Sequence, residues 1–312
     1  MRIAIVGAGG VGGYLAVLLD GHAEVALIDT GEQLRALRTE GVRVRSRARG
    51  ELQARPMATD DPSEIGAVEL VLFCVKTYDN GVAIPALRPL VGSETSILTI
   101  QNGIGNVEQL AESYGGERVL GGPMVGGGTR VAPGVIEHVL PIEEEVVELG
   151  GLEPGSEGRA EAVRAVLAPT GLAVKVVQDV RLTLWTKLLG MASLASLGCL
   201  TRVGTADWRG HPEARELYAT LVREAAAVAR AEDVALDDAT VDGVLSQPDR
   251  LGPAHRTSMH ADLERGERLE VEAVHGEVVR RASRHDVPVP AFRTVYAVLR
   301  LADGRASAGA AC

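Results

Sequence analysis

This 312-residue chain has few cysteines and aromatic residues and shows no metal-binding pattern, which argues against disulfide-rich and metal-binding proteins. The three cysteines, Cys74, Cys199 and Cys312, are too far apart for a disulfide framework or a metal-ligand spacing. The seven histidines show no metal-site spacing either. Aromatic residues make up only 3% of the chain, which predicts aliphatic cores. We therefore expect a protein of the reducing cytoplasm that uses no metal ion.

An excess of positive charge is also missing. The formal net charge of -10 at pH 7 argues against nucleic acid or an acidic membrane surface as a partner. The most apolar stretch, residues 182–200, contains Lys187 and several hydroxyl groups, so it does not form a clean membrane span. The chain contains neither a Gly-x-Ser-x-Gly elbow nor a phosphate loop ending in Gly-Lys-Ser/Thr. The composition predicts a soluble intracellular protein.

The first thirty residues carry the pattern of a dinucleotide-binding βαβ unit. An apolar, β-branched run at 2–6 predicts a buried strand, and helical spacing follows at 14–19. A second strand is predicted at 25–28, with Asp29 at its carboxyl end. Between the first strand and the helix lie the residues expected to hold the dinucleotide, which are Gly7, Ala8, Gly9, Gly10, Val11 and Gly12.

Three of these glycines have distinct physical tasks in such a turn. Gly7 permits the tight turn itself, and Gly9 lets the main chain approach a diphosphate. Gly12 lets the helix pack closely on the strand. The amino terminus of the helix then offers N–H groups and a partial positive charge to phosphate. An ordinary glycine-rich turn is the alternative, but the strand, the helix and the acid are all in the expected order.

The distribution of strand signals divides the chain. Signals for strands and helices alternate up to residue 177 and predict a dinucleotide-binding, Rossmann-like, doubly wound α/β domain over 1–177. Only helical patterns follow, so 178–303 is predicted to be an all-helical domain for substrate binding and dimerisation. The small, polar residues 304–312 are predicted to be a disordered tail. The sequence contains no internal repeat.

Two polar residues directly follow apolar strands. Lys76 follows the run 68–75, and Asn102 follows 96–100. In a doubly wound sheet, ligands bind outside the carboxyl ends of the parallel strands, so both side chains are candidates for the site. Charged and turn-forming residues also commonly follow strands for purely structural reasons.

Lys187 and Glu270 are candidates for chemistry because each shares a predicted helix face with apolar residues. Lys187 lines up with Met191 and Ala195, and burial of an ammonium group lowers its pKa toward the range useful for proton transfer. Glu270 lies in the predicted helix 267–285 and could accompany a buried cation. The alternatives are a lysine that extends its ammonium to the surface and a glutamate on a solvated face.

With these residues identified, the chain resembles the ketopantoate reductase (2-dehydropantoate 2-reductase) family over almost its whole length. The matching segments are 7–12, 73–77, 101–106, 133–138, 184–188, 257–259 with Asp262, and 270–273 with Gly276. The resemblance implies NAD(P)H-dependent reduction of a 2-oxo acid to a 2-hydroxy acid. The leading reaction would be that of 2-dehydropantoate to pantoate, in pantothenate and coenzyme A biosynthesis.

The resemblance also implies a role for each candidate residue. Lys187 would protonate the carbonyl oxygen as hydride arrives, with Glu270 as a second catalytic residue. Lys76 and Asn102 would lie around the cofactor and the reaction centre, and Asn102 would also contact the substrate. Ser258 would contact the substrate carboxylate. A cation beside the developing alkoxide stabilises charge that exists only in the transition state.

Two departures from the family pattern bear on specificity. Met191 and Ala195 stand where the family usually carries asparagines, which allows a different oxo or hydroxy acid as substrate. Ser193 and Ser196 point in other helical directions and are not counted as replacements. NADPH-dependent members commonly have an arginine just after the second strand, in an Ala-Arg-Gly-like run, where this chain reads Asp29-Thr30-Gly31. The Asp29 carboxylate would repel a 2′-phosphate. We therefore expect NAD(H) as the preferred cofactor and NADP(H) as the alternative.

A non-catalytic, dinucleotide-binding sensor is the alternative from another class of protein. It would have no use for a proton donor on an apolar helix face, which favours the enzyme. The apolar faces of the helical domain further predict a homodimer.

Overall fold

A computed structural model describes residues 1–139, 145–252 and 255–309, with side chains described up to residue 303. The chain forms two compact units. The first consists of Met1–Gln101 and Asn106–Val180, and the second of Asn102–Gly105 and Arg181–Cys312. The first unit ends close to the boundary predicted at residue 177. The sequence did not indicate that Asn102–Gly105 belongs to the second unit.

The first unit is built on a mostly parallel sheet, as predicted for an α/β domain. Its strands and those of a smaller sheet are β1 (Arg2–Val6), β2 (Glu24–Ile28), β3 (Val42–Ser46), β4 (Gly50–Ala54), β5 (Met57–Thr59), β6 (Val68–Phe73), β7 (Val91–Thr99), β8 (Val119–Gly121), β9 (Met124–Val125), β10 (Thr129–Ala132), β11 (Val135–His138), β12 (Val146–Gly151) and β13 (Ala173–Val176). In the described residues, the large sheet has the order β13-β12-β8-β7-β6-β1-β2-β5, with β9 beside β12. The smaller sheet has the order β10-β11-β3-β4.

The helices of this unit connect or cover the strands. They are α1 (Gly10–Leu19), α2 (Gly31–Thr39), α3 (Asn80–Ala86), α4 (Asn106–Tyr114) and α5 (Glu157–Leu167). Strand β1 lies in the centre, with parallel neighbours β2 and β6, so the βαβ unit predicted from the first thirty residues is formed. Helix α1 contacts both sheets and is buried from Gly12 to Leu19, which explains why it is apolar all round.

A buried polar network fixes α1 to the smaller sheet. The Tyr14 hydroxyl on α1 donates to Glu145 Oε2 (3.0 Å), which also pairs with Arg49 Nη2 at 3.1 Å. The Tyr14 ring stacks on His138, with the ring centroids 4.6 Å apart. Burial lowers the pKa of His138, and the Glu145 carboxylate opposes that change. The Glu145 charge is therefore buried with a cationic partner, as buried charges require.

The second unit contains helices and connecting loops, and no strand, among the residues that the structure describes. Its helices are α6 (Val180–Thr201), α7 (Thr205–Trp208), α8 (Pro212–Ala231), α9 (Asp238–Leu245), α10 (Gln247–Arg250), α11 (Ser258–Glu264), α12 (Glu277–Arg284) and α13 (Pro290–Gly309). Helix α6 has the length and composition of a membrane span, but 72% of its apolar window is buried inside the protein, as in a core helix. Helix α13 includes 304–309 of the segment predicted to be a tail, and 310–312 lie outside the described residues.

The helix predicted over 267–285 begins only at Val271, so the prediction for its first turn is wrong. Gly266, with φ +72°, ends the preceding helix, and Leu269 N–H donates to the Asp303 side chain (2.6 Å) instead of to a helical carbonyl. Glu270 therefore lies directly before the helix. The first turns of this helix contain a π-turn, Glu272–Gly276, which continues into α12.

Candidate active site

The turn after β1 requires glycine at two of the predicted positions. Gly7 has φ +90°, and a Cβ there would lie 2.7 Å from Val75 N. A Cβ on Gly12 would lie 2.0 Å from Gly7 O, so only glycine lets α1 approach the strand this closely. A Cβ on Gly9 would have no neighbour within 4 Å. The main chain is therefore open at Gly9, the position at which a turn of this kind can approach a diphosphate.

A second glycine segment packs against this turn. A Cβ on Gly10 would lie 2.0 Å from Gly128 O, and one on Gly127 would lie 3.0 Å from the Val11 side chain. Gly10 and Val11 therefore contact protein on that side. The three consecutive glycines at 126–128 were the signal in the sequence, but nothing local indicated which segment they would contact.

The structure brings Asp29 to the glycine turn. Its Oδ2 accepts a hydrogen bond from Ala8 N–H and its Oδ1 from Thr30 N–H, both at 2.8 Å. Burial raises the pKa of Asp29, while these two main-chain bonds and the charge of Arg130 act in the opposite direction. Gln33 Nε2 also donates to Ala8 O (2.6 Å). The contributions of Gln33 and Arg130 were not predicted from the sequence.

Lys76, the other candidate in this unit, lies three residues beyond β6. It is half-buried and directly precedes a short 3₁₀ turn, Thr77–Asp79. The strand predicted over 68–75 ends at Phe73, so Lys76 lies beyond the carboxyl end of a central strand but does not follow it directly.

Three of the candidate residues form a group within the second unit. Lys187 Nζ donates a hydrogen bond to Asn102 Oδ1 at 3.0 Å. Burial lowers the pKa of Lys187 to about 8, and the negative charge of Glu270 opposes that change. Glu270 is itself only 7% exposed. The group thus has a half-buried ammonium, a fixed amide oxygen and a buried carboxylate, which together can hold a proton and release it near neutral pH.

Met191 is half-buried and Ala195 is fully buried, at the positions where the resemblance implied asparagines. The neighbouring serines do not replace them. Ser196 donates to Ala192 O within its own helix (2.7 Å), and Ser193 is fully buried without a hydrogen-bond partner among the described residues. Neither position on α6 therefore offers an amide.

Ser258 is the exposed first residue of α11. The preceding Thr257 caps the helix, since its hydroxyl accepts from His260 N–H at 3.3 Å. In the described parts of the chain, no group of three or more His, Cys, Asp or Glu side chains could hold a metal ion.

Comparisons with known proteins match both units of the chain. The family model of ketopantoate reductase PanE/ApbA matches residues 3–150, and the model of its C-terminal domain matches residues 179–303. A 2-dehydropantoate 2-reductase from Halobacterium salinarum is 32% identical over 305 residues, which cover 97% of this chain and 99% of that protein.

Solved structures give the same result. The crystal structure of 2-dehydropantoate 2-reductase from Geobacter metallireducens has a TM-score of 0.89 and 30% identity, and the match covers 97% of this chain and all of that chain. A D-mandelate dehydrogenase solved with NADH and anilino(oxo)acetate has a TM-score of 0.90 at 22% identity, over 98% of this chain and 99% of that one, which establishes likeness of fold. The chain therefore belongs to the ketopantoate reductase family of oxidoreductases.

Proposed function

We propose that this protein reduces a 2-oxo acid to a 2-hydroxy acid with NAD(P)H, and that 2-dehydropantoate is the first candidate substrate. The observation that carries the proposal is the Lys187 ammonium, which is bonded to Asn102 and has a pKa lowered to about 8. The relative from Halobacterium salinarum, named 2-dehydropantoate 2-reductase, supports the choice of substrate.

In this proposal, the reduced nicotinamide supplies the hydride. Lys187 donates a proton to the carbonyl oxygen of the substrate, and its positive charge stabilises the alkoxide that develops there. Asn102 orients the ammonium because its Oδ1 accepts a hydrogen bond from Lys187 Nζ. Glu270 favours the protonated form of the lysine, since its negative charge raises the pKa. The Ser258 hydroxyl is proposed to bind the substrate carboxylate.

The proposed dinucleotide site lies in the first unit. The turn from Gly7 to Gly12 would hold the diphosphate, since Gly9 leaves its main chain open to a ligand. Asp29 would accept hydrogen bonds from the adenosine ribose. Lys76 is proposed to contact the cofactor as well. The expected homodimer and the cytoplasmic location also stay predictions.

A panel of 2-oxo acids, assayed with NADH and NADPH, tests the proposed activity. We expect turnover of at least one 2-oxo acid, with 2-dehydropantoate first. Binding of a dinucleotide without turnover of any 2-oxo acid would favour the sensor over the enzyme.

The same panel tests a second candidate substrate class. Met191 and Ala195 replace buried amides that could hydrogen-bond a hydroxyl or carboxylate, and loss of such bonds costs about 1–3 kcal/mol each. These residues favour a more apolar 2-oxo acid than 2-dehydropantoate. A higher kcat/KM for 2-oxo acids with apolar side chains would support this alternative, whereas a clear preference for 2-dehydropantoate would exclude it.

The reduction is expected to slow as the pH rises through about 8. Because the pKa of Lys187 is lowered to about 8, the proton donor is charged below that pH and loses its proton above it. The kcat for 2-oxo acid reduction should therefore be constant at lower pH and fall about tenfold for each further pH unit well above 8. A pH profile of kcat at saturating substrate and cofactor measures this. A profile that stays flat to pH 10 would contradict Lys187 as the donor.

NADH is expected to give a higher kcat/KM than NADPH, because the Asp29 carboxylate would repel a 2′-phosphate. Steady-state kinetics with both cofactors measure the ratio. The matched variant Asp29→Asn removes the charge but keeps an oxygen that can accept the Ala8 N–H, so it should reduce the preference without unfolding the turn. A higher kcat/KM for NADPH in the unmodified protein would show that this prediction is wrong.

A further inference from the structure

The π-turn Glu272–Gly276 begins two residues after Glu270. It contacts the segment that contains Asn102 and the helix that carries Lys187. This π-turn is a single turn of π-helix, a rare and wider form of helix that often occurs at functional sites. It carries Ala273 and His275, neither of which has a role in the proposed reaction.

Ala273 holds the segment that contains Asn102. The Ala273 carbonyl accepts a hydrogen bond from Ile104 N–H at 3.4 Å. Gly103 has φ +88°, and a Cβ there would lie 2.5 Å from Ala273 O, so only glycine permits this approach. Asn102 is the next residue along the chain, and its side chain accepts from Lys187. The position of the π-turn therefore helps to set the position of the Asn102 oxygen.

His275 ties the same π-turn to α6. Its ring is completely buried, and Nε2 lies 2.9 Å from Ser196 Oγ. When the Ser196 hydroxyl donates to Ala192 O, Nε2 of the histidine is the donor to Ser196 Oγ. The ring also interacts with the Ala192 main chain. Burial lowers the pKa of His275 to about 4, so the ring is neutral near pH 7.

These contacts join the π-turn to α6 at two points, because Lys187 and Ser196 both lie on that helix. Lys187 is connected to the π-turn through the segment that contains Asn102, and Ser196 is connected to it through His275. We propose that His275 is a positioning residue, whose hydrogen bond to Ser196 keeps the π-turn where Ala273 can fix Asn102 against Lys187. Its effect on catalysis rests on the proposed reductase function, but its effect on the position of Lys187 does not.

A purely structural histidine would contribute to stability without affecting Lys187, so the test must observe the lysine itself. The sequence contains only three lysines, Lys76, Lys175 and Lys187. The ¹³C resonance of the Lys187 side chain can therefore be followed by NMR in protein labelled with ¹³C-lysine and assigned with a Lys187→Met variant. Titration of that resonance gives its pKa, and kcat, KM and Tm are measured on the same variants.

Ser196→Ala and His275→Leu each remove the hydrogen bond. Both should raise the pKa of Lys187 from about 8 toward its ordinary value, because a loosened site admits water. We also expect kcat to fall by about tenfold to a hundredfold, as for a small misplacement of a catalytic group, with little change in KM. His275→Gln, whose amide N–H can reach Ser196, should restore most of the loss.

Ser193→Ala is the matched control, because it removes a buried hydroxyl from the same helix. That hydroxyl has no hydrogen-bond partner among the described residues. It should leave the pKa of Lys187 and kcat unchanged. If both Ser196→Ala and His275→Leu lower only Tm and leave the pKa of Lys187 and kcat at the values of the control, His275 is a packing residue and the proposal is wrong. If the unmodified protein reduces no 2-oxo acid, the proposed function fails, while the titration still decides whether His275 positions Lys187.

Discussion

Replacement of Lys187 by alanine is expected to lower kcat for 2-oxo acid reduction by about 10²–10⁴-fold, the usual contribution of a general acid. The loss should lie in kcat because the proton is transferred only in the transition state. Dinucleotide affinity should be unchanged, since the glycine turn and Asp29 belong to the first unit. Steady-state kinetics and calorimetric titration with NADH measure the two quantities separately.

Two further lysine variants separate chemistry from packing. Lys187→Met keeps an apolar stem of similar length on α6, so it should be as inactive as the alanine variant while retaining Tm. Lys175→Ala removes an exposed lysine whose ion pair with Glu148 is 3.6 Å long, and it should leave kcat unchanged. Turnover that survives in both Lys187 variants would remove Lys187 from its proposed role.

Gly12→Ala is expected to destabilise the first unit by about 1–3 kcal/mol, the usual cost of overpacking. A Cβ at this position would lie 2.0 Å from Gly7 O, and the main chain fixes the positions of both atoms, so neither can rotate away. Because α1 is packed between two sheets, it cannot shift freely to accept the methyl group. Urea denaturation measures the free energy of unfolding.

Gly9→Ala should have the opposite combination of effects. Its Cβ would have no protein neighbour within 4 Å, so the free energy of unfolding should change little. A bound diphosphate would meet the methyl group, so the dinucleotide should bind at least tenfold more weakly. Gly158→Ala, on an exposed turn of α5 with the same open surroundings, is the control and should bind NADH normally. Unchanged NADH affinity in Gly9→Ala would show that the diphosphate does not lie at this turn.

The sequence could predict those features that depend on short segments. The glycine turn, its flanking strands and Asp29 lie within the first thirty residues, so their order alone predicted the βαβ unit that the structure contains. The placement of Lys187 on an apolar helix face was predicted for the same reason, since helical periodicity is local. The prediction for Glu270 was less accurate. Its apolar spacing suggested a helix, but Gly266 and the bond from Leu269 to Asp303 end the helical pattern before it.

Only the tertiary structure decided which partners these residues have. Lys187 and the Asn102 oxygen that accepts its hydrogen bond are 85 positions apart in sequence. The burial that lowers the pKa of the ammonium, the buried pair of His275 and Ser196, and the contact of Gly10 with Gly128 also depend on segments far apart in the chain. The sequence by itself determined which groups are available and which local element carries each of them. Which of these groups touch was decided by packing, because hydrogen bonds and desolvation act between atoms that are close in space, and the order of residues does not record those distances.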